Sequence, residues 1–277
     1  MEVTRYAIID GAIEEGLMEF LETINPPHCC LYAEPIQPDL VALAPYIVEA
    51  TGEVNEWLNG KSTPWGIFLT SKLSMQKLQQ HFRQYLWVNI PEQSKPVLFR
   101  FYDPRNIWTL LSILSPAELN KFTEPVTKIT TRHGGINHEE NFSSFLQRGK
   151  SRVTGTINSH LCFTIRQHTL LNRQAQSNYI KTLSQYICNY HTKKNLSFRE
   201  EHDKSDYYAE NYFYFCKSLD INDDRSIRAL TYLLLENKIH DIEGIPYEWI
   251  DQLKNNDMPP HRNVERLLLQ KLGFFPQ

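Results

Sequence analysis

Apolar positions in the first half of the chain alternate between two rhythms. Arg5 to Ile9 predicts a strand, turned by Asp10-Gly11. Ile13, Leu17, Phe20, Leu21 and Ile24 then recur at helical spacing. Asn25-Pro26-Pro27 ends that helix, because proline cannot continue it. Cys29 to Tyr32 and Tyr46 to Ala50 predict short strands, with a short helix near Val54 to Leu58. Trp65 to Thr70 is a strand of bulky apolar residues. Met75, Leu78, Phe82 and Tyr85 mark a helix face, with Ser74 as its N-cap. Leu86 to Ile90 and Val97 to Tyr102, separated by Pro91 to Lys95, predict a β-hairpin. Ile107, Leu110, Leu111 and Leu114 form the buried face of the next helix. Ser115-Pro-Ala-Glu118 reads as a capping box with proline at the first helical position. Strands alternating with helices predict an α/β (α+β) class, with a mixed-sheet lobe over 1–132.

From about 133 to 160 the pattern fails. His133-Gly134-Gly135 and Gly149 to Gly155 are polar and irregular, and the segment reads as a linker. Beyond it strand signals disappear. Leu170 or Leu171 to His191 reads as one long helix with Tyr179, Leu183, Tyr186 and Tyr190 on a stripe. Tyr208, Tyr212, Phe215 and Leu219 give another helix, and Ile227, Leu230, Leu234 and Ile239 a third. Val264 to Leu272 closes the chain. Residues 161–277 are therefore expected to form an all-α lobe.

The most informative stretch is Pro96-Val-Leu-Phe-Arg-Phe-Tyr-Asp-Pro-Arg105. Arg100 is a charge among aromatics in mid-strand, so it must be paired or aimed at something. Asp103-Pro104 then stops the strand and opens a helix, with Asp as N-cap and Pro at the first helical position. The run from Leu98 to Arg105 resembles the signature of the type VI secretion effector adaptors, also called effector chaperones. Three further segments fit in order: Tyr6-Ala-Ile-Ile-Asp-Gly11, Leu43-Ala-Pro-Tyr46 and Pro64-Trp-Gly-Ile-Phe-Leu69. The resemblance covers roughly residues 5 to 132. The remainder matches only in general character, as a helical lobe.

Composition changes the picture little. Hydrophobic content of 41% and charged content of 22% are those of a globular protein, and the net charge of −3 names no partner. No apolar run is long enough to span a membrane, so no membrane partner is expected. The first residues lack the pattern of a signal peptide, so a cytoplasmic location is expected. Five cysteines, an odd number with Cys29 and Cys30 adjacent, speak against a disulfide framework. Charge distribution says more. Residues 141–199 hold nine Lys/Arg and no acid, whereas 200–257 hold 14 acidic and six basic residues. These blocks face each other within a lobe, or the basic one forms a groove for an acidic partner.

Candidate chemistry is sparse. Asp10, Arg100 and Asp103 sit where α/β folds place active sites, but a turn, an N-cap and a bracing arginine explain them structurally. His133, His138, Glu139 and Glu140 match no metal-ligand spacing. Gly149-Lys150-Ser151 lacks the leading glycine of a phosphate loop. Cys29 and Cys30 lie in an apolar stretch and read as inert thiols. Asp206 to Phe215 holds six aromatics in ten residues, more than one helical stripe can bury. Tyr207 and Tyr214 fall off the stripe, either as exposed interface anchors or packed against neighbouring elements. Arg148, Lys150, Arg152, Phe163, Arg166 and Arg173 fit a nucleic-acid surface loosely, without a binding motif.

The expected function is therefore non-catalytic, with no cofactor and no metal. The resemblance implies a Gram-negative bacterial adaptor that binds one secreted effector and helps load it onto the spike protein of the secretion tube. The expected binding mode is a helix in a groove between the lobes, taking the effector's N-terminal segment. The expected wall is Trp65, Arg100, Tyr102, Asp103 and Arg105, with Arg166, Tyr207 and Tyr214 from the helical lobe. Of these, Arg100, Asp103 and Arg105 come from the signature. The alternatives are a nucleic-acid module using 141–199 and an enzyme using Asp10, Arg100 and Asp103.

Overall fold

The computed structural model describes residues 3–142, 160–194 and 204–276. The chain divides into two compact units, Met1–Ala175 and Gln176–Gln277.

The first unit is built on one six-stranded sheet. Its strands are β1 (Thr4–Asp10), β2 (His28–Cys30), β3 (Pro45–Glu49), β4 (Gly66–Ser71), β7 (Lys128–His133) and β8 (Ile136–Asn141), in the order β2-β3-β1-β4-β7-β8. Every neighbouring pair is antiparallel. The main sheet is thus antiparallel and not the expected mixed one. A mixed sheet does occur, but it is the small one. Strands β5 (Trp87–Asn89) and β6 (Val97–Leu98) form the predicted hairpin, and β9 (Leu161–Cys162) adds to β5 in parallel.

The centre of the main sheet is buried on both faces, which explains why Tyr6 to Ile9 reads as unbroken apolar sequence. Tyr6, Ile8, Ile47, Ile67, Leu69 and Ile129 face one core. That core is covered by α4 (Met75–Arg83), α5 (Ile107–Ile113) and α6 (Pro116–Thr123), through Leu78, Phe82, Leu110 and Phe122. Ala7, Ile9, Tyr46, Val48 and Phe68 face the other. There α1 (Leu17–Ile24) supplies Leu17 and Leu21, and α3 (Gly52–Asn59) supplies Val54 and Leu58; a short helix, α2 (Pro38–Val41), precedes β3. The predicted capping box of α6 is present, with Glu118 N–H donating to Ser115 Oγ and Ser115 N–H to Glu118 Oε2. Ser74 occupies the N-cap of α4 but makes no side-chain capping bond.

Strand β8 departs from the reading of 133–160 as linker. Gly134 and Gly135, both at positive φ, form the two-residue turn of a β7–β8 hairpin. The rest of that reading, with Gly149-Lys150-Ser151, lies outside the described residues.

In the second unit α7 (Ile165–Lys193), which begins in the first, is followed by α8 (Ser205–Ser218), α9 (Asp224–Glu236), α10 (Tyr247–Leu253) and α11 (Pro260–Leu272). Its core holds Leu183, Tyr208, Tyr212, Phe215, Leu219, Ile227, Leu230 and Leu234, all on the predicted stripes, and Trp249 from α10, which the pattern did not reveal. No described helix is long and apolar enough to cross a membrane.

Candidate functional site

Four separated segments meet at one end of the main sheet: the end of β1, the entry to β3, the entry to β4, and the turn before α5. Asp10 N–H donates to the Trp65 carbonyl at 2.8 Å, and Gly11 N–H to the Ala44 carbonyl at 3.1 Å. The Asp10 side chain then reaches the fourth segment. Arg100 Nε donates to Asp10 Oδ2 at 2.7 Å, and Arg100 Nη2 donates to the same oxygen. The glycines make the corner possible. A Cβ on Gly11 would lie 2.5 Å from the Ala42 carbonyl oxygen. A Cβ on Gly66 would lie 1.9 Å from that of Ile8, and Gly66 has φ +151°.

Arg100 is not in a strand. Strand β6 stops at Leu98, and Phe99 N–H makes the last cross-strand bond, to Leu86 O at 2.7 Å. The chain then turns through Phe101 and Tyr102, which frees Arg100 to reach Asp10. Asp103 caps the next turn, although regular helix begins only at Ile107. Its Oδ1 accepts from Arg105 N–H at 2.9 Å, and its carbonyl accepts from Ile107 N–H at 3.0 Å. Pro104 sits in this turn and not in the helix proper. The Arg105 guanidinium folds back onto the same carboxylate, with Nη2 2.7 Å from Oδ2.

The corner therefore holds two ion pairs with the same polarity. Both carboxylates are buried: Asp10 is 2% exposed and Asp103 is 7% exposed. Both guanidiniums are partly open, at 38% for the Arg100 side chain and 28% for Arg105. Burial pushes the Asp10 carboxyl above the usual carboxylate range, against the hydrogen bonds from Arg100 that pull it down. Asp10 Oδ1 is taken by Ala12 N–H, and Asp103 also accepts from Asn106. The acids are thus committed inward, while each guanidinium spends Nε and one terminal nitrogen on its acid, Arg100 also bonds the buried Tyr102 side chain, and both stay partly open at the surface.

The other expected wall residues fall elsewhere. Trp65 is buried, edge-on to Phe68, and contributes its carbonyl to the corner, not its ring to a surface. Tyr102 is equally buried, edge-on to Phe101. Each fills a core that the sheet and its helices must close, so neither side chain offers a contact surface. Arg166 is exposed in the first turn of α7. Tyr207 and Tyr214 are exposed on α8, as their position off the apolar stripe predicts. Phe163 is buried against Phe99 and cannot stack on a base; Arg148, Lys150 and Arg152 lie outside the described residues.

Other chemistry-bearing residues are accounted for locally. Burial holds the Cys29 thiol at about 11 and raises Cys30 as well. His138 stacks on Trp108 at 3.7 Å between ring centres. Among the described residues, no three His, Cys, Asp or Glu side chains gather as a metal-ligand set. One buried acid escaped the sequence reading. Glu14 pairs with Lys61 at 3.0 Å and accepts from the Thr63 hydroxyl. A separation of almost fifty residues leaves no spacing signal for that contact.

The architecture of the first unit is thus a helix-covered antiparallel sheet with a charged corner at its end. Residues 5–121, which contain all four converging segments, match the family described as "Domain of unknown function (DUF4123)". No curated protein and no solved structure matches the chain.

Proposed function

We propose that the protein is a non-catalytic adaptor that binds one secreted effector, through the effector's N-terminal segment, and delivers it to the spike of a type VI secretion apparatus in a Gram-negative bacterium. The observation that carries this reading is the convergence of the four signature-like segments on a single corner. The segments that resemble effector adaptors are not scattered through the core. They build one feature, whose outward groups are Arg100 and Arg105.

The chemistry of the corner supports binding over catalysis. A general base needs a free lone pair near a reacting atom, and both buried acids already accept several hydrogen bonds. The guanidiniums, in contrast, are braced from behind and stay partly open at the surface. Such an arginine suits recognition of a carboxylate on a partner, because its fork is held in place before binding. The exposed Tyr207 and Tyr214 suit a protein contact in the same way, as large anchors with few rotors.

The test is to tag the protein in its native host, purify it at moderate salt and identify stoichiometric companions. The reading expects one large toxin-like polypeptide, with or without a spike protein, and truncation of that polypeptide at its N-terminus should abolish recovery. Steep loss of the companion with salt, together with nucleic acid in the eluate, would favour a nucleic-acid module instead.

A further inference from the structure

At the opposite end of β1 from Asp10, two arginines share one aromatic ring and form no ion pair among the described residues. The Arg5 guanidinium lies 3.8 Å from the centre of the Phe68 ring, and that of Arg132, on β7, lies 5.4 Å from the same centre. Each is steered by an asparagine of α3. Arg5 Nη1 donates to Asn55 Oδ1 at 3.3 Å, and Arg132 Nη1 donates to Asn59 Oδ1. Those asparagines are one helical turn apart. Asn55 is itself fixed, since its Nδ2 donates to the carbonyls of Ala50 and Thr51 at 2.8 and 2.7 Å.

Neither arginine forms an ion pair among the described residues. The nearby acid Glu139 is held by Lys128 at 3.0 Å, and Glu53 and Glu56 of α3 pair with neither. Burial, and next the charge of Arg132, lower the pKa of Arg5, and the charge of Glu139 only partly offsets them, which is how two like charges respond to a shared, partly dry setting. Stacking on Phe68 accounts for one arginine, as a cation over a ring. It does not account for a second cation held beside the first with most of its donors unused. Thr70, directly across from Arg5 in the strand register, adds a hydroxyl with no hydrogen-bond partner among the described residues.

We propose that Arg5 and Arg132 form a binding site for a phosphate dianion, free or carried on a small phosphate monoester. Two guanidiniums that no acid pairs among the described residues match its charge of about −2, and their planar forks suit its oxygens. The Thr70 hydroxyl supplies a further donor. This site is independent of the adaptor reading and shares no residue with the corner.

The test uses the full chain at constant ionic strength. Inorganic phosphate and glycerol phosphate are each titrated by calorimetry and by thermal unfolding, with chloride and acetate as controls. The site predicts saturable binding of inorganic phosphate that neither control reproduces, and at least a tenfold loss of affinity in Arg132→Gln. Arg5→Lys, which keeps the charge but not the fork, should also weaken binding and guards against a variant that fails to fold. Equal affinities for the two phosphates would define a site for the bare oxyanion, and tighter binding of the ester one that reads the organic part. Stabilisation by phosphate no greater than by chloride, or unchanged affinity in both variants, overturns the proposal.

Discussion

Asp10 and Arg100 lie ninety positions apart and meet with both arginine donors on one carboxylate oxygen. Their exposures are unequal: the acid is buried, the base is partly hydrated. That asymmetry sets what each substitution does. Arg100→Ala strands a buried charge and should cost about 2–3 kcal/mol, below the figure of about 3–5 for a fully buried pair because Arg100 is already part-solvated. Asp10→Asn leaves a hydrated arginine and keeps an acceptor for Ala12, so it should cost less. Chemical denaturation of both variants checks the order.

The same pair predicts a pH signature. Burial already raises the Asp10 carboxyl, and loss of Arg100 raises it further. A raised acid favours the folded state at low pH, and that stability is lost as pH rises through its folded value. The deficit of Arg100→Ala should therefore shrink as pH falls toward the ordinary carboxyl range. In the double variant with Asp10→Asn the pH dependence of this deficit should vanish. A deficit that does not change with pH would mean the cost is lost packing, not stranded charge.

His81 gives a second titration. It is half-buried, and Nε2 donates to the Phe122 carbonyl at 3.0 Å. Burial lowers its pKa to about 4, from an ordinary value near 6.5. The folded protein thus holds it neutral. That contribution is complete above pH 6.5 and is lost as pH falls toward 4, at up to about 1.4 kcal/mol per pH unit. His81→Gln, which can still donate to Phe122, should remove this slope between pH 6.5 and 4. Identical slopes in the two proteins would contradict it.

Gly66 allows a sharper test of the corner. Gly66→Ala places a Cβ 1.9 Å from a backbone oxygen of the neighbouring strand, which cannot yield without moving β1. We expect loss of more than about 4 kcal/mol, read as failure to accumulate folded protein. Gly134→Ala meets no atom within 4 Å and pays only for its positive φ, about 1–2 kcal/mol.

The thiols should react in a fixed order. Cys29, at about 11, and the fully buried Cys216, at about 12, are protonated at pH 8. Cys162 is exposed. Iodoacetamide on the native protein at pH 8 should label Cys162 first and spare Cys29 and Cys216 until unfolding, as peptide mapping would show.

Much of this fold is legible in the sequence where burial is one-sided or complete. The helical stripes of α4, α8 and α9 point where they should, because one face of each meets a core. The hairpin of β5 and β6 is visible, but its second strand reads four residues too long. Phe99 to Tyr102 alternate like a strand, yet the pull of Asp10 on Arg100 and the Asp103 turn break the ladder there. Strand β8 escapes the pattern because all six of its residues are exposed, so no alternation marks it. The Gly134-Gly135 pair after the β-branched Ile129, Thr130 and Thr131 is a usable hairpin signal. Strand order is not legible at all, since it depends on contacts between distant segments. The candidate site is half-visible: Arg100 announces that it needs a partner, and Asp10 is among the candidate acids. The outward set is not, because Trp65 and Tyr102 look like contact residues in sequence and turn out to fill the core.

The central claim is that the outward guanidiniums of Arg100 and Arg105 recognise a protein partner. The most direct measurement is quantitative co-purification from the native host with the unaltered protein and with Arg100→Lys/Arg105→Lys. The lysines keep charge opposite Asp10 and Asp103 but lose the fork. The account predicts that the unaltered protein retains one effector at near-equal stoichiometry, and that the folded double variant loses most of it. Recovery of the unaltered protein alone, or an effector retained equally by both, would contradict it.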